Sequence, residues 1–298
     1  MGRFLDTLRE RVVVFDGATG TNLQLRDLGA DDFGGPALEG CNEILVVTRP
    51  QVIADLHRSF FEVGVDAVET DTFGAFPIVL SEYGIANRTY ELNHAAASIA
   101  REVASGYSTP DRPRWVIGSI GPGTKLPSLG QIDFVTLRDN YEAQVAGLLA
   151  GGVDVLLIET VYDLLQAKAA VVACRRAMAK AGKDLPLMVQ VTMETTGRML
   201  VGSEIGAALT SIEALRPDVI GLNCATGPRE MTEHLRHLAR HSRTFLSCLP
   251  NAGLPSIVDG HTHYDLTAEQ LADAHERFIK EFGLNIVGGC CGTTPAHL

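Results

Sequence analysis

Eight short apolar runs, each followed by a polar, glycine-rich stretch, constrain this chain of 298 residues more than any other feature. The runs are VVVF at 12–15, DAVET at 66–70, WVIGS at 115–119 and DVLLIE at 154–159, then LMVQVTM at 187–193, DVIGLN at 218–223, TFLSCL at 244–249 and NIVGG at 285–289. They are continuous rather than alternating, the pattern of strands buried on both faces of a parallel sheet. Amphipathic segments of helix length separate them. RPQVIADLHRSFFEVG carries Pro50 near its start and Gly64 after it. TAEQLADAHERFIKEFG opens at Thr267, has Glu269 soon after, and stops at Gly283. Caps and glycine stops of this kind mark helix boundaries. EVGVDAVET and AGGVDVLLIET repeat one unit: a helix end, a glycine, then a strand closing on Glu69-Thr70 or Glu159-Thr160.

Eight strands alternating with helices over a chain this long predict a (β/α)8 TIM barrel, with a doubly wound sheet as the alternative. No composition break marks a second domain, so residues 1–298 are expected to form a single barrel domain. After the eighth run only GTTPAHL remains, leaving no helix to cover that strand. Either the chain is a piece of a larger multidomain enzyme, or something else covers that face.

Asp and Glu exceed Lys and Arg by 36 to 25, a net charge of -11, which argues against nucleic acid or an anionic membrane as partner. No apolar stretch approaches membrane-spanning length, and MGRFLDTLRERV carries acids and no secretion core. The expectation is a cytoplasmic protein whose six cysteines are reduced thiols.

Barrel chemistry sits at the C-terminal ends of the strands. The stretches there read DGATGT, TDTFGAF, GSIGPGT, ETVYD, METTGR, NCATGP, CLPNAGLP and GGCCGTTP. Cys224 ends the sixth run, and Cys290 and Cys291 end the eighth, two positions away around a barrel. Neighbouring cysteines rarely form a disulfide, because the geometry is strained. Three thiolates at one rim suit Zn2+ with an open fourth position; packed core thiols are the other reading. Cys41, Cys174 and Cys248 read as packing residues. A site of three thiolates is a poor activator of water but binds a substrate thiol well and keeps it ionised, which points to S-alkylation. Asp16 and Glu159 end strands one and four, where they would pair with a substrate ammonium; Glu69 has the same placement. The amides of the turn over residues 17–21, which includes Gly17, Ala18 and Thr21, would receive a substrate carboxylate. A turn cap is the plainer role for Asp16. Asn223 and Asn251 flank the thiols; Asn251 would fill the fourth metal position when substrate is absent, or simply form a turn. His57, His94, His261 and His263 have no metal spacing with the cysteines and read as surface or helix residues. DGHTHYD fails as a cobalamin-binding signature, because Tyr264 stands where that signature has glycine.

With DGATGT, the strand ending in IET, GLNC and GGCCGTTP in place, the chain resembles the homocysteine S-methyltransferase family from residue 11 to the end. CNEILVVTRPQVIADLHRSFFEVGVDAVETDTFGA and LSEYGI carry a further likeness to the homocysteine-binding modules of its cobalamin-dependent, methionine-forming members. The resemblance implies a TIM barrel with zinc on Cys224, Cys290 and Cys291 at the C-terminal face. It also implies homocysteine held by the 16–21 loop and Glu159. The expected reaction is methyl transfer from methylcobalamin to the homocysteine thiolate. The methylcobalamin would come from a cobalamin-binding module, served by a folate-binding module, in the same or a separate chain. Betaine or S-methylmethionine as donor, and a non-catalytic zinc scaffold, are the alternatives.

Overall fold

The computed structural model describes residues 3–258 and 261–298, without the side chains of residues 3, 258 and 261. The apolar runs become strands β1 (Val13–Val14), β2 (Ala67–Glu69), β3 (Trp115–Ile120), β4 (Val155–Val161), β5 (Leu187–Val191), β6 (Val219–Asn223) and β7 (Phe245–Leu249). A hairpin follows, β8 (Ser256–Val258) with β9 (His261–His263), and then β10 (Ile286–Val287). The barrel strands pair in parallel in the order β1-β10-β7-β6-β5-β4-β3-β2. A parallel bridge from Phe15 to Ala67 joins β1 to β2 and closes the ring. The (β/α)8 expectation holds and the doubly wound alternative falls, since an open sheet has no such closure.

The repeated unit is a structural device. Asp66, Asp154 and Asp218 each stand just before a strand and accept an amide hydrogen bond from the strand beside it, from Val14 (3.0 Å), Val116 (2.8 Å) and Leu187 (2.9 Å). Asn285 does the same for Leu246 at 3.0 Å. One short polar side chain at alternate strands thus fixes register at the N-terminal end of the barrel. The glycines of the repeat, Gly64 and Gly152, end their helices with φ of 106° and 92°, a conformation that costs other residues a steric penalty.

Helices Pro50–Val63, Thr89–Tyr107, Phe134–Gly151, Leu164–Ala181, Ile205–Glu213, Pro228–His241 and Ala268–Phe282 surround the strands. Thr267 and Gln270 form a full capping box at the last of these. The terminal turn Pro295–His297 touches both helices that flank β10, Pro50–Val63 and Ala268–Phe282. At the opposite end of the barrel, helix Arg3–Glu10 inserts Phe4, Leu5 and Leu8 among the interior residues Phe15, Trp115, Ile117, Leu157 and Met188. This plug leaves the polar mouth, at the C-terminal strand ends, as the open face. No described helix is long and apolar enough to cross a membrane.

Candidate metal centre and substrate cavity

Two turns bring the thiols together. β6 ends at Asn223, and Cys224 and Ala225 follow with φ of 59° each, a left-handed conformation that non-glycine residues adopt at a cost. Thr226 N–H donates to Cys224 O at 2.7 Å, and Cys224 N–H donates to Leu249 O at 3.2 Å. β10 runs into Gly288 and Gly289 and then the adjacent cysteines. Cys290 N–H donates to Pro250 O (2.7 Å), Cys291 N–H to Asn251 Oδ1 (3.1 Å), and Ala252 N–H to Cys291 O (2.9 Å). Asn251 N–H donates to Thr226 O at 3.0 Å, so both turns are bonded to the end of β7 and the segment after it, which lie between them in the ring. The result is three half-buried sulfurs all within 4.8 Å of one another, with Cys224 and Cys291 at 3.9 Å. Cys224 and Cys290 hold Cys291 below the ordinary thiol range by hydrogen bonding, while the same contacts push Cys290 well above it. One sulfur of the three is the first to ionise.

The loop after β1 braces this turn from below. A Cβ at Gly17 would lie 2.5 Å from Thr293 O, and one at Gly289 2.2 Å from Thr293 Oγ1, so neither position admits a side chain. Asn22 Nδ2 donates to Thr293 O at 2.9 Å, Gly289 N–H to Asp16 O at 3.1 Å, and Gly292 N–H to Thr21 Oγ1 at 3.3 Å.

The sulfurs open into a cavity of about 230 Å³ whose lining includes Gly17, Ala18, Glu69, Asp71, Phe73 and Glu159. Glu159 accepts from Ser119 Oγ and from Asn223 Nδ2 (3.1 Å), and burial pushes it up to about 7 although the Ser119 bond opposes the shift. Asn223 Oδ1 also accepts Thr160 N–H at 2.8 Å; Thr160 has φ of 55°, where the β4–β5 register shifts. Burial raises Glu69 well above the carboxylate range, helped by the charges of Glu159 and Asp16. Burial likewise raises Asp16, against the pull of the Glu69 amide on its carboxylate at 3.1 Å. Glu69 Oε1 and Asp71 Oδ2 are buried without a hydrogen-bond partner among the described residues. A cluster of carboxyl groups in low dielectric cannot ionise fully without a counter-charge, so the cavity suits a cation.

Among the residues singled out in the sequence, Cys224, Cys290, Cys291, Gly17, Ala18, Glu69 and Glu159 line the cavity. Asp16, Thr21, Asn223 and Asn251 stand behind it and hold the lining in place through the bonds given above. Cys41, Cys174 and Cys248 are buried away from the cluster. His57 lies within helix Pro50–Val63 and is buried; His94 lies in helix Thr89–Tyr107, and His263 closes β9. Of DGHTHYD, Asp259, Gly260 and the His261 side chain lie outside the described residues. Sequence reasoning passed over Ser119, Thr160, Asp71 and Phe73, although TDTFGAF and ETVYD, which contain three of them, are strand-end stretches.

Three sulfurs converging at the mouth of a parallel barrel form a group that could hold a metal ion. The homocysteine S-methyltransferase family model matches residues 13–298, and the chain belongs to that family. It is 56% identical over 294 residues to a methionine synthase of Mycobacterium tuberculosis (strain ATCC 25618 / H37Rv). It is 55% identical over 294 residues to a methionine synthase of Mycobacterium leprae (strain TN). Each match covers 99% of this chain but 24% of the relative, so the chain spans about a quarter of these proteins. Among solved structures, the metallated homocysteine methyltransferase MmuM from Escherichia coli shares the fold, with a TM-score of 0.77 at 20% identity over 98% of this chain and 97% of that one.

Proposed function

We propose that this barrel transfers a methyl group from methylcobalamin to the sulfur of homocysteine, forming methionine. The convergence of Cys224, Cys290 and Cys291 beside a buried, under-compensated acidic cluster carries this reading. The donor set fits zinc: tetrahedral Zn–S bonds of about 2.3 Å put sulfurs about 3.8 Å apart, and Cys224 and Cys291 stand at 3.9 Å. Bound there, zinc supplies the positive charge that keeps a substrate thiol ionised near neutral pH. Glu159 and Glu69 take the homocysteine ammonium, with Asp16 holding the Glu69 backbone from behind. The amides of residues 17–21 take its carboxylate. Two anchored ends fix the thiol toward the cysteines, so orientation is set by the chain before the methyl carbon arrives. Asn251 Oδ1, which accepts the Cys291 amide at 3.1 Å, keeps a second lone pair for the fourth ligand position when substrate is absent.

The methyl donor is held by a cobalamin-binding module, replenished by a folate-binding module, in the same or a separate chain. This is supported by the roughly fourfold greater length of the methionine synthase relatives. The mouth itself supports it too: Leu25, Phe73, Leu129, Leu200, Leu254 and Ile257 are exposed on the loops that follow the strands, and an apolar rim of that kind suits a partner surface. Three free thiols in one site suit a reducing, cytoplasmic setting.

Zinc-loaded protein mixed with homocysteine and methylcobalamin is expected to lose methylcobalamin absorbance in step with methionine formed. Methionine from betaine or S-methylmethionine but not from methylcobalamin would replace the donor; none from any donor would leave a zinc scaffold. Cys224→Ala is expected to abolish both zinc retention and turnover, and a variant keeping both would overturn the ligand assignment.

A further inference from the structure

We propose that His237 and His241 form a metal site separate from the cysteines: two imidazoles, one helical turn apart, that clamp a divalent transition-metal ion such as nickel or zinc. The clamp lies on the helical layer outside the barrel strands and is independent of the methyl-transfer chemistry.

Helix Pro228–His241 carries His234, His237 and His241 in one stripe, three and then four residues apart. Residues at that spacing share a helix face. The His237 and His241 ring centroids stand 4.5 Å apart with planes tilted by 40°, so the rings do not stack flat. An imidazole bound through nitrogen at about 2.0–2.1 Å puts its ring centre roughly 3.2 Å from the metal. Two such rings meeting at a right angle have centres about 4.5 Å apart, and at a tetrahedral angle about 5.2 Å. The pair therefore already has the spacing of two neighbouring ligands on one ion.

His241 is exposed and His237 half-buried. A Cβ at Gly206 would lie 3.3 Å from His237 Nε2, so the glycine of the facing helix Ile205–Glu213 keeps that edge of the ring uncovered. None of the three rings takes a hydrogen bond among the described residues. Burial, and then the neighbouring His241, lowers His237 below the ordinary histidine range, which favours the neutral ring that a metal needs. His237-Leu-Ala-Arg-His241 has the four-residue spacing of zinc-binding histidines on a helix, but no glutamate stands between them to act as a base. The site is therefore one for binding rather than hydrolysis. Among the described residues only the cysteines bring three ligand atoms together, so His234 is not a third ligand and water completes the shell. The clamp closes on the last turn of the helix, whose carbonyl end favours a cation.

Calorimetric titration of nickel chloride into untagged, zinc-loaded protein tests this, with released zinc followed by a chromophoric indicator so that nickel entering the thiols is not counted. Histidine ring signals in the NMR spectrum locate the paramagnetic ion. Wild type is expected to bind one nickel without releasing zinc, and to lose the His237 and His241 ring signals first. His241→Ala, at an exposed position, and His237→Ala are each expected to weaken this binding by about tenfold or more, since even an outer partner of a metal ligand is worth that much. His94→Ala, on another helix, is expected to leave it unchanged. Equal affinity in His241→Ala, equal weakening in His94→Ala, or no nickel uptake beyond the zinc released would each overturn the proposal. Should the cysteines hold no zinc, the ring signals still report the histidine clamp, so the two metal sites stand or fall separately.

Discussion

Glu159 shows how much of the site depends on single atoms. Its carboxylate receives Ser119 and Asn223 on one side, and its burial without a cation leaves it near the midpoint of its titration at neutral pH. An arriving ammonium would favour the charged form and gain a charge-assisted bond. Glu159→Gln keeps the shape and an acceptor for Ser119 but removes the charge. Homocysteine affinity is expected to fall about 10- to 100-fold, the value of roughly 1.5–3 kcal/mol for a bond to a charged group, with zinc content unchanged. Calorimetric titration of homocysteine into zinc-loaded protein, with metal analysis alongside, measures both. Unaltered affinity would remove Glu159 from the ammonium site. The residues at this scale were legible where position along a strand decides the role: Cys224, Glu159 and Cys290 all stand at the ends of apolar runs. What the sequence hid is which side chain serves which. That Asn223 holds Glu159, or that Asp16 binds the Glu69 amide, depends on loops more than 50 residues apart meeting in the ring.

Elements were legible where burial on both sides forces an unbroken apolar run. All eight runs became barrel strands, and helices Pro50–Val63 and Ala268–Phe282 end at the glycines that mark them. Helix Arg3–Glu10 escaped because RFLDTLRE is dominated by charge, with its apolar residues confined to one stripe. The β8–β9 hairpin escaped because the stretch around it lacks clear apolar alternation. The plug helix has a separable role. Phe4 meets Trp115 edge-on at 5.5 Å between ring centroids and lies 6.4 Å from Phe15. Phe4→Ala opens the floor of the barrel and is expected to cost about 3–5 kcal/mol of stability. The zinc site, at the far end of the strands, keeps its affinity. Denaturant unfolding of the zinc-free protein gives the first quantity and chelator competition the second; a parallel loss of zinc would mean that floor and mouth are coupled.

At the scale of the whole molecule, buried titratable groups pull stability in opposite directions as pH changes. Burial alone lowers His57 to about 4, and both its ring nitrogens lack a partner among the described residues. Burial lowers His275 to about 4 as well, against the pull of its contact with Gly288 O at 2.8 Å. A histidine depressed in the folded state contributes fully above its unfolded value near 6.5, because both states are then neutral. As pH falls from there toward 4, the unfolded chain takes up a proton that the fold refuses, and stability drops by about 1.4 kcal/mol per pH unit for each such group. Asp16, Glu69 and Asp71, raised by burial, act the other way: the fold holds their protons after the unfolded chain has released them, so they favour folding as pH falls. The net curve mixes both signs, and a difference between variants isolates one. His57→Leu removes one histidine and leaves the carboxyls alone. The stability of wild type relative to this variant is expected to fall by about 2 kcal/mol between pH 6.5 and pH 5, whatever offset the substitution introduces at neutral pH. Urea unfolding of both proteins at several pH values gives that difference directly. A constant difference would mean that His57 takes up its proton within the fold, so that the helix between β1 and β2 opens to water below the midpoint of free histidine.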